Sequence, residues 1–477
     1  MSFIQSRDES AGARSSSGSY SAALIFLGVA SLLILAGSAG SQQPATERIG
    51  DATLDSLIQL ANSANPSIAA ARNRVAAARA RIRPAGARPD PMLMLGAINV
   101  PVKSLSFTDD DMTMKMVGIE QNLPYPGKLG LRRKVAELEA DAAAATAESV
   151  RLGVVRDVKN AYYELAYVDA ALAVDERNSS VLVDIARGAN ARYSTGVGMQ
   201  QDVLRATLEA ARLNDGANSL REERRAVLAR LNGLVARASD TPIEAPSIPQ
   251  PLIRAAVSPN ADIHFASQDL GAGVTGSPLP SLSELQSLAV RTSPVVRARA
   301  AMVAVGYAEL ALARKEFLPD VDLSIQYGQR SGSAIMGTGE RVSRSDMISA
   351  VVAIPIPLQR GRKQNAGVAA SEADLSALEA EQRDAENTAQ AEVARLYSDI
   401  AHSRTQLALY VKAIIPQGQA TLASTTAGYQ SGAGDLLPVL NAQTTLLELE
   451  TSYHRALTDF AQKIAALEAV VGREILP

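Results

Sequence analysis

The feature that most constrains the fold of this chain is a long internal duplication. Two groups of residues recur in the same order, the first at an offset of 228 positions (282 − 54) and the second at 236 positions (429 − 193). The unit is longer than the roughly 20 to 50 residues of a solenoid repeat, so the pattern indicates duplication of a whole domain. The recurring residues are Leu54, Leu57 and Pro66 with Leu282, Leu285 and Pro294, then Tyr193, Gly196, Gly198, Val203, Leu204, Ala206 and Leu231 with Tyr429, Gly432, Gly434, Val439, Leu440, Ala442 and Leu467.

The composition favours long, closely packed helices over a large globular core. Aromatic residues make up 4% of the 477 residues and tryptophan is absent, whereas helices that pack side by side can use Ala and Leu. A net charge of −3 gives no basic surface for nucleic acid, so we expect no nucleic-acid partner. The absence of cysteine excludes disulfides, thiol catalysis, thiolate metal sites and a lipid-anchored mature N-terminus.

The N-terminus carries one long apolar run, Ala22 to Ala36, followed by the small residues Gly37, Ser38 and Ala39. Fifteen residues are few for a spanning helix, and small residues are typical of a processing site. We interpret residues 1–39 as a secretory signal peptide; the alternative is an uncleaved anchor, because the leader before the run is long.

The rest of the chain divides into two repeats around a linker. The predicted domains are 40–238, the Pro/Gly-rich linker 239–281, and 282–477. No proline occurs between Gly127 and Thr241, which predicts a helix from there to about Ala189, on the order of 90 Å long, and a second helix over roughly 199–236. The turn between them spans Tyr193 to Gly198, and the second copy repeats it at Tyr429 to Gly434.

Strand signals lie between the short and long helices of each copy. Apolar and polar residues alternate in these segments, which predicts strands with two different faces. Strands of this length suit a bilayer, and four strands alone would leave unsatisfied edges there, so we expect copies of the chain to share a barrel. Two chains would give eight strands, and three would give twelve with an open lumen; a soluble hairpin pair covered by helices is the alternative. The predicted strands are Met92 to Val100, Met112 to Leu123, Val321 to Gln329 and Met347 to Ile356.

Taken together, these features resemble the outer-membrane efflux protein family, the TolC-like outer-membrane factors of tripartite pumps and type I secretion systems. The resemblance rests on the duplication, on the junctions QNLPYPGKLGLRR (Gln121 to Arg133) and AIPIPLQRGRK (Ala353 to Lys363), and on the turns YSTGVG and YQSGAG. It implies a homotrimer with a twelve-stranded outer-membrane β-barrel and a periplasmic α-barrel of long antiparallel helices. It also implies a periplasmic adaptor protein and an inner-membrane transporter as partners.

The resemblance further assigns roles at the helix turns. It implies that Tyr429 ties the tip in its closed state. The family's constriction aspartates map onto Pro438 and Asn441, so Asp435 or Asp202 would have to supply a substitute ring; alternatively, Asp435 is a plain helix N-cap. The residues implied for adaptor docking are Tyr193, Gly196, Val197, Gly198, Gly432, Ala433 and Gly434.

Little in the sequence indicates catalysis. The three histidines, His264, His402 and His454, share no metal-ligand spacing, and no phosphate loop or nucleophile motif occurs, so we predict neither an enzyme nor a cofactor. Methionines concentrate in the first hairpin, and thioethers suit soft cations such as Cu(I) or Ag(I); the alternative is a packing or lipid-facing role. These weak metal candidates, which also fit a resemblance to the heavy-metal-efflux branch, are Met92, Met94, Met112, Met114 and Met116.

The sequence therefore predicts a passive outer-membrane exit duct that carries small molecules or metal cations out of the periplasm. The substrate and the cognate pump stay open. The alternative from another class is a secreted or periplasmic coiled-coil scaffold without a barrel.

Overall fold

A computed structural model of the chain describes residues 53–110, 112–243, 246–257, 279–330, 333–335 and 341–476. The predicted signal peptide, part of the linker and His264 lie outside these residues. Among the described residues, no helix combines the length and hydrophobicity needed to cross a membrane.

The order of elements confirms the predicted repeat of short helices, two long strands and long helices. The first copy contains α1 (Leu54–Ala64), α2 (Pro66–Ala85), β1 (Met92–Ile98), β2 (Met114–Leu123), α3 (Lys128–Ser194) and α4 (Gln200–Leu234). A short helix, α5 (Gln250–Ala256), lies in the linker. The second copy contains α6 (Leu282–Thr292), α7 (Pro294–Lys315), β3 (Val321–Gln329), β4 (Ser333–Ile335), β5 (Arg341–Ser343), β6 (Met347–Ala353), α8 (Gln364–Leu409), a π-helical turn (Tyr410–Ile414), α9 (Ile415–Gln430) and α10 (Leu436–Val471).

The four long strands form one antiparallel sheet in the order β1-β2-β3-β6. Its central pair joins the copies, because β2 of the first copy pairs with β3 of the second, from Lys115 opposite Gln329 to Leu123 opposite Val321. The prediction for β3 is confirmed to the residue. For β2 it is wrong at the start: the strand begins at Met114, and Met112 lies in the preceding turn.

The two faces of this sheet differ in chemistry. Residues directly opposite each other in neighbouring strands share a face, so the register assigns every side chain to one side. One face is apolar and exposed; Leu95 is 74% and Ile348 is 77% accessible. Its members are Leu93, Leu95, Ala97, Lys115, Val117, Ile119, Gln121, Leu123, Val321, Leu323, Ile325, Tyr327, Gln329, Ile348, Ala350 and Val352. The other face is mixed, and carries Glu120, Asn122, Asp322, Ser324, Gln326 and Ser349 together with methionines, glycines and the apolar Ile98, Val351 and Ala353.

Each sheet-to-helix junction contains two prolines, but the junctions differ in length. Residues 124–127 connect β2 to α3, whereas residues 354–363 connect β6 to α8. At the first junction Lys128 is only 1% accessible, and its Nζ lies 2.9 Å from Asp320 and 3.3 Å from Glu316. Asp320 also accepts the Tyr125 backbone N–H at 2.8 Å. A buried ammonium needs such partners, so this cluster fixes the start of α3 beside the end of α7.

The long helices set the distance between the sheet and the helix turns. With 67 residues, α3 is about 100 Å long. It packs against α4, α7, α2 and α10. A main core surrounds the middle of α3, from Val154 to Leu165, and a smaller cluster near the turns includes Leu182, Ala189, Ala206, Leu436 and Val439. The turns are therefore held by their own packed core, far from the strands.

The linker contributes more order than the sequence suggested. We expected an irregular boundary without core residues, but the linker contains α5, and its side chains join the main core. The buried linker residues are Ile243, Leu252, Ala255 and Ala256. This burial was hard to predict from sequence, because prolines surround the short apolar segment.

Replacement of Gly472 tests how the end of α10 packs against the end of α6. Gly472 has φ +86°, and an added Cβ would lie 2.6 Å from the Thr292 carbonyl oxygen. We expect Gly472→Ala to lower the free energy of unfolding by more than about 1 kcal/mol, since left-handed backbone is unfavourable for Ala and the clash adds to it. Guanidinium unfolding followed by circular dichroism measures the change.

Gly233→Ala is the matched control. Gly233 lies in α4, has no positive φ, and an added Cβ would meet nothing within 4 Å. This variant should be neutral or slightly more stable. Equal midpoints for the two variants would contradict the assignment of Gly472 as a packed, left-handed helix end.

Candidate functional site

The two helix turns, which we call turn 1 (residues 193–198) and turn 2 (residues 429–434), have the same hydrogen-bond pattern. In turn 1 the Arg192 carbonyl accepts from Val197 N at 3.0 Å and from Gly198 N at 2.9 Å. In turn 2 the equivalent Gly428 carbonyl accepts from Ala433 N at 3.0 Å and from Gly434 N at 3.1 Å. The predicted repeat of the turns thus extends to individual backbone bonds of the kind that end helices.

Glycine occupies the left-handed position of both turns. Gly196 has φ +74° and Gly432 has φ +77°, and an added Cβ would meet nothing within 4 Å at either position. Glycine is therefore required by the positive φ at these positions and not by a lack of space for a side chain. Gly198 is different, because its added Cβ would lie 3.0 Å from the backbone of Arg192.

Apolar side chains project from the turns and from the first turns of the helices that follow. Val197 is 71% accessible, and Tyr193, Met199 and Leu437 are also exposed. Neighbouring exposed apolar residues of this kind are typical of protein contact surfaces.

Arg192 connects the two turns. Its Nη1 donates to the Tyr429 carbonyl at 2.7 Å, and its guanidinium carbon lies 4.7 Å from the centre of the Tyr429 ring. The same carbonyl accepts from Gly432 N at 3.1 Å. One side chain of the first copy thus holds both the ring and the backbone of turn 2.

The interaction is not reciprocal. The residue equivalent to Arg192 in the second copy is Gly428, which has no side chain to return the contact. Accordingly Tyr193 is exposed, whereas Tyr429 is half-buried.

Burial raises the pKa of the Tyr429 phenol; the adjacent Arg192 opposes this shift and the Asp202 carboxylate adds to it. Tyr429 is therefore neutral at physiological pH, and its hydroxyl is available as a hydrogen-bond donor. Asp202 lies in the first turn of α4.

The structure locates the other predicted tip residues as follows. Asp435 is the N-cap residue of α10, with φ −85° and ψ 160°, although its side chain makes no capping hydrogen bond. Pro438 and Asn441 follow at intervals of three residues, and all three are exposed. Pro438 and Asn441, three residues apart, lie on a different side of α10 from the buried Leu436 and Val439.

The metal candidates are only partly brought together. The register places Met92, Met94, Met114 and Met116 on one face of the sheet, but Met112 lies outside β2. Among the described residues there is no group of three or more His, Cys, Asp or Glu side chains able to hold a metal ion. His402 is exposed, and His454 is half-buried beside Tyr453, where burial lowers its pKa.

Sequence reasoning missed two charged residues, Arg192 and Lys128. The only sequence signal for Arg192 was the mismatch with Gly428 inside an otherwise repeated turn. Lys128 lies in the junction motif, but nothing in its neighbours indicated burial between Glu316 and Asp320.

The chain matches a family model and a known protein in sequence. The model of a family described as outer membrane efflux protein matches residues 57–237 and 285–473. Nodulation protein T of Rhizobium leguminosarum bv. trifolii is 24% identical over 343 residues, which cover 71% of this chain and 67% of that protein.

Solved structures share the fold. The outer-membrane channel OprN has a TM-score of 0.70 at 20% identity and covers 90% of this chain and 91% of its own. VceC from Vibrio cholerae has a TM-score of 0.68 at 21% identity, and the match covers 88% of this chain and 96% of VceC. CusC has a TM-score of 0.70 at 17% identity, and the match covers 89% of this chain and 92% of CusC.

Loss of the Arg192 guanidinium should release turn 2. We expect Arg192→Gln to increase amide hydrogen exchange across residues 415–435, since the Tyr429 ring and carbonyl lose their shared partner. Exchange measured by mass spectrometry on the purified protein reports this change.

Arg187→Gln serves as the control, because Arg187 lies on the same helix and pairs only with the exposed Asp184 at 2.7 Å. Exchange in this variant should match the wild type. If both variants exchange alike, Arg192 does not hold the two turns together.

Proposed function

The chain belongs to the outer membrane efflux protein family, and on this basis we propose that it is the passive exit duct of a tripartite efflux pump. Members of the family are outer-membrane channels, and this chain resides in the outer membrane. A soluble periplasmic scaffold is therefore not favoured.

One observation carries the proposal: the four-stranded sheet has an exposed apolar face and two unpaired edges. Leu95, Ile325 and Ile348 lie on that face and are more than half accessible. Within the described residues, β1 and β6 each pair on one side only. Hydrocarbon tolerates an apolar face but not unpaired backbone groups, so β1 of one chain must pair with β6 of another.

Three chains fit a duct best. Two sheets of four strands would close an eight-stranded barrel, and side chains would fill its interior. Three sheets would give twelve strands and an open lumen. A closed ring of identical chains also repeats one β1–β6 contact and leaves no edge. The apolar face then meets lipid, and the face with Glu120, Asp322 and Gln326 lines the lumen.

At the opposite end of the helices, we assign turns 1 and 2 to docking of a periplasmic adaptor protein. Their exposed apolar side chains, among them Val197 and Met199, supply a contact surface. Because backbone hydrogen bonds already fix the turns, little backbone conformational entropy would be lost on binding. We assign the supply of energy for transport to an inner-membrane transporter, the partner that the family resemblance implies.

The same turns form the proposed aperture. Arg192 and Tyr429 hold turn 2 against turn 1 in the state described here, and three copies of the exposed Asp435 and Asn441 would surround the axis. Asp202, in the first turn of α4, supplies a further carboxylate. Such a ring would favour cations weakly.

Engineered cysteines test the shared barrel, since the chain has no cysteine of its own. We expect Leu95→Cys on β1 combined with Cys at Ile348, Ala350 or Val352 on β6 to give disulfide-linked species of up to three chains. Side chains on the same face of paired strands lie about 4.5 to 5.5 Å apart at Cβ, within reach of a disulfide. Non-reducing electrophoresis of outer membranes measures the product.

Cys at Ser349 or Val351 is the matched control, because these positions lie on the opposite face of β6. Paired with Leu95→Cys, they should not cross-link. Linked species that stop at two chains or extend beyond three would contradict the trimer, and a protein recovered only from the soluble periplasm would contradict the duct.

A second experiment tests the docking role of the turns. Gly196→Val combined with Gly432→Val should abolish adaptor copurification and export, because Val strains the positive φ and projects a side chain into the open space around each turn. Trimers should still form, since the strands lie about 100 Å away.

Gly233→Val, at the far end of α4 and equally unobstructed, is the control and should export normally. Wild-type export by the double turn variant would place docking elsewhere. Loss of the trimer in that variant would mean that the turns act in assembly.

A further inference from the structure

The register places all methionines of the paired strands on one face of the sheet. Met347 lies opposite Gly328, and Gly328 lies opposite Met116, so the second copy adds a fifth methionine to the four of the first hairpin. All five share the face opposite the exposed apolar one, which contains no methionine among the paired strand residues. Their positions are Met92, Met94, Met114, Met116 and Met347.

Glycines give these side chains room to lie along the sheet. A Cβ added to Gly96 would meet the Met116 methyl carbon at 3.6 Å, and one added to Gly328 would lie 2.6 Å from the Met114 sulfur. Met116 and Met114 therefore extend over glycines of the neighbouring strands. Met347 of β6 lies directly opposite Gly328, so Met114 and Met347 both lie beside this glycine on one face of the sheet.

The five positions follow one another along the strands. Met92 lies at the helix end of the sheet, opposite Glu120, and Met94 lies opposite Gly118. Met116 is the diagonal neighbour of Met94, and Met114 follows it two residues toward the far end. Neighbours of this kind are about 7 Å apart, within reach of long side chains, so the set connects one end of the sheet to the other.

On the proposed function that this face lines the lumen, we propose that the five methionines form a thioether track that conducts soft monovalent cations, Cu(I) or Ag(I), as cargo. Thioethers prefer such cations over Na⁺ or Mg²⁺. Conduction needs several weak sites rather than one tight site, and a series of neutral sulfur ligands provides them.

Two other roles fit the structure less well. A lipid-facing role is disfavoured, because the methionines share their face with Asn122, Asp322 and Gln326, and hydrocarbon disfavours polar and charged side chains. A core-packing role does not account for Met92 and Met347, which are exposed. Glu120 and Asp322, at the helix end of the same face, would attract cations to the start of the track.

Silver binding tests the proposal. The five positions are changed together to Leu, which has nearly the volume of Met but no sulfur. Isothermal titration of the purified trimer with silver nitrate in chloride-free buffer should show binding to the wild type and none to the fivefold variant. In planar bilayers, silver should reduce the potassium nitrate conductance of the wild type and leave that of the variant unchanged.

A control variant changes methionines outside the track, Met112→Leu and Met302→Leu, and should bind silver as the wild type does. Equal silver binding by the fivefold variant overturns the proposal, as does a wild-type trimer that conducts potassium but binds no silver; in both cases the duct itself stands. A wild-type protein that forms no conducting trimer overturns the duct, and the track with it.

Discussion

The pairing of β2 with β3 is the interaction on which the rest of this structure depends. Because the partners come from different copies of the repeat, their backbone bonds turn two separate hairpins into one sheet. The same register divides the strand side chains between an exposed apolar face and a mixed face. It also leaves β1 and β6 as the outer strands of the sheet, each paired on one side among the described residues.

The two copies are joined a second time at the distant turns, by a contact of another kind. There a single guanidinium, that of Arg192, holds the Tyr429 ring and carbonyl. Many backbone bonds join the copies at the sheet, whereas near the turns the copies meet through Arg192 and a small apolar cluster that includes Ala206 and Leu436. The polar contact between the turns therefore depends on a single side chain, whereas the pairing of β2 with β3 depends on the backbone.

The extent to which sequence predicted this structure varied with the range of the interactions involved. Alternation of apolar and polar residues over Val321–Gln329 is local, and the strand was predicted to the residue. Met112 was misplaced because the alternation continues into a turn that hydrogen bonding, not pattern, excludes from β2. The partners of Lys128 and Arg192 lie 188 and 237 positions away, so no local pattern could reveal them. Burial of Leu252 in the linker likewise depends on helices distant in sequence.

The π-helical turn Tyr410–Ile414 makes the second copy mechanically different from the first. Pro416 follows it, and proline provides no backbone N–H to continue a regular α-helix. Beyond this point α9 has no buried residue, whereas the equivalent part of α3 continues unbroken into the core. With 16 residues, α9 is a lever arm of about 24 Å, and a tilt of about 10° at its base would carry turn 2 about 4 Å sideways. Both the displacement and its direction are thus set at the base of the arm, far from the contact between Arg192 and Tyr429.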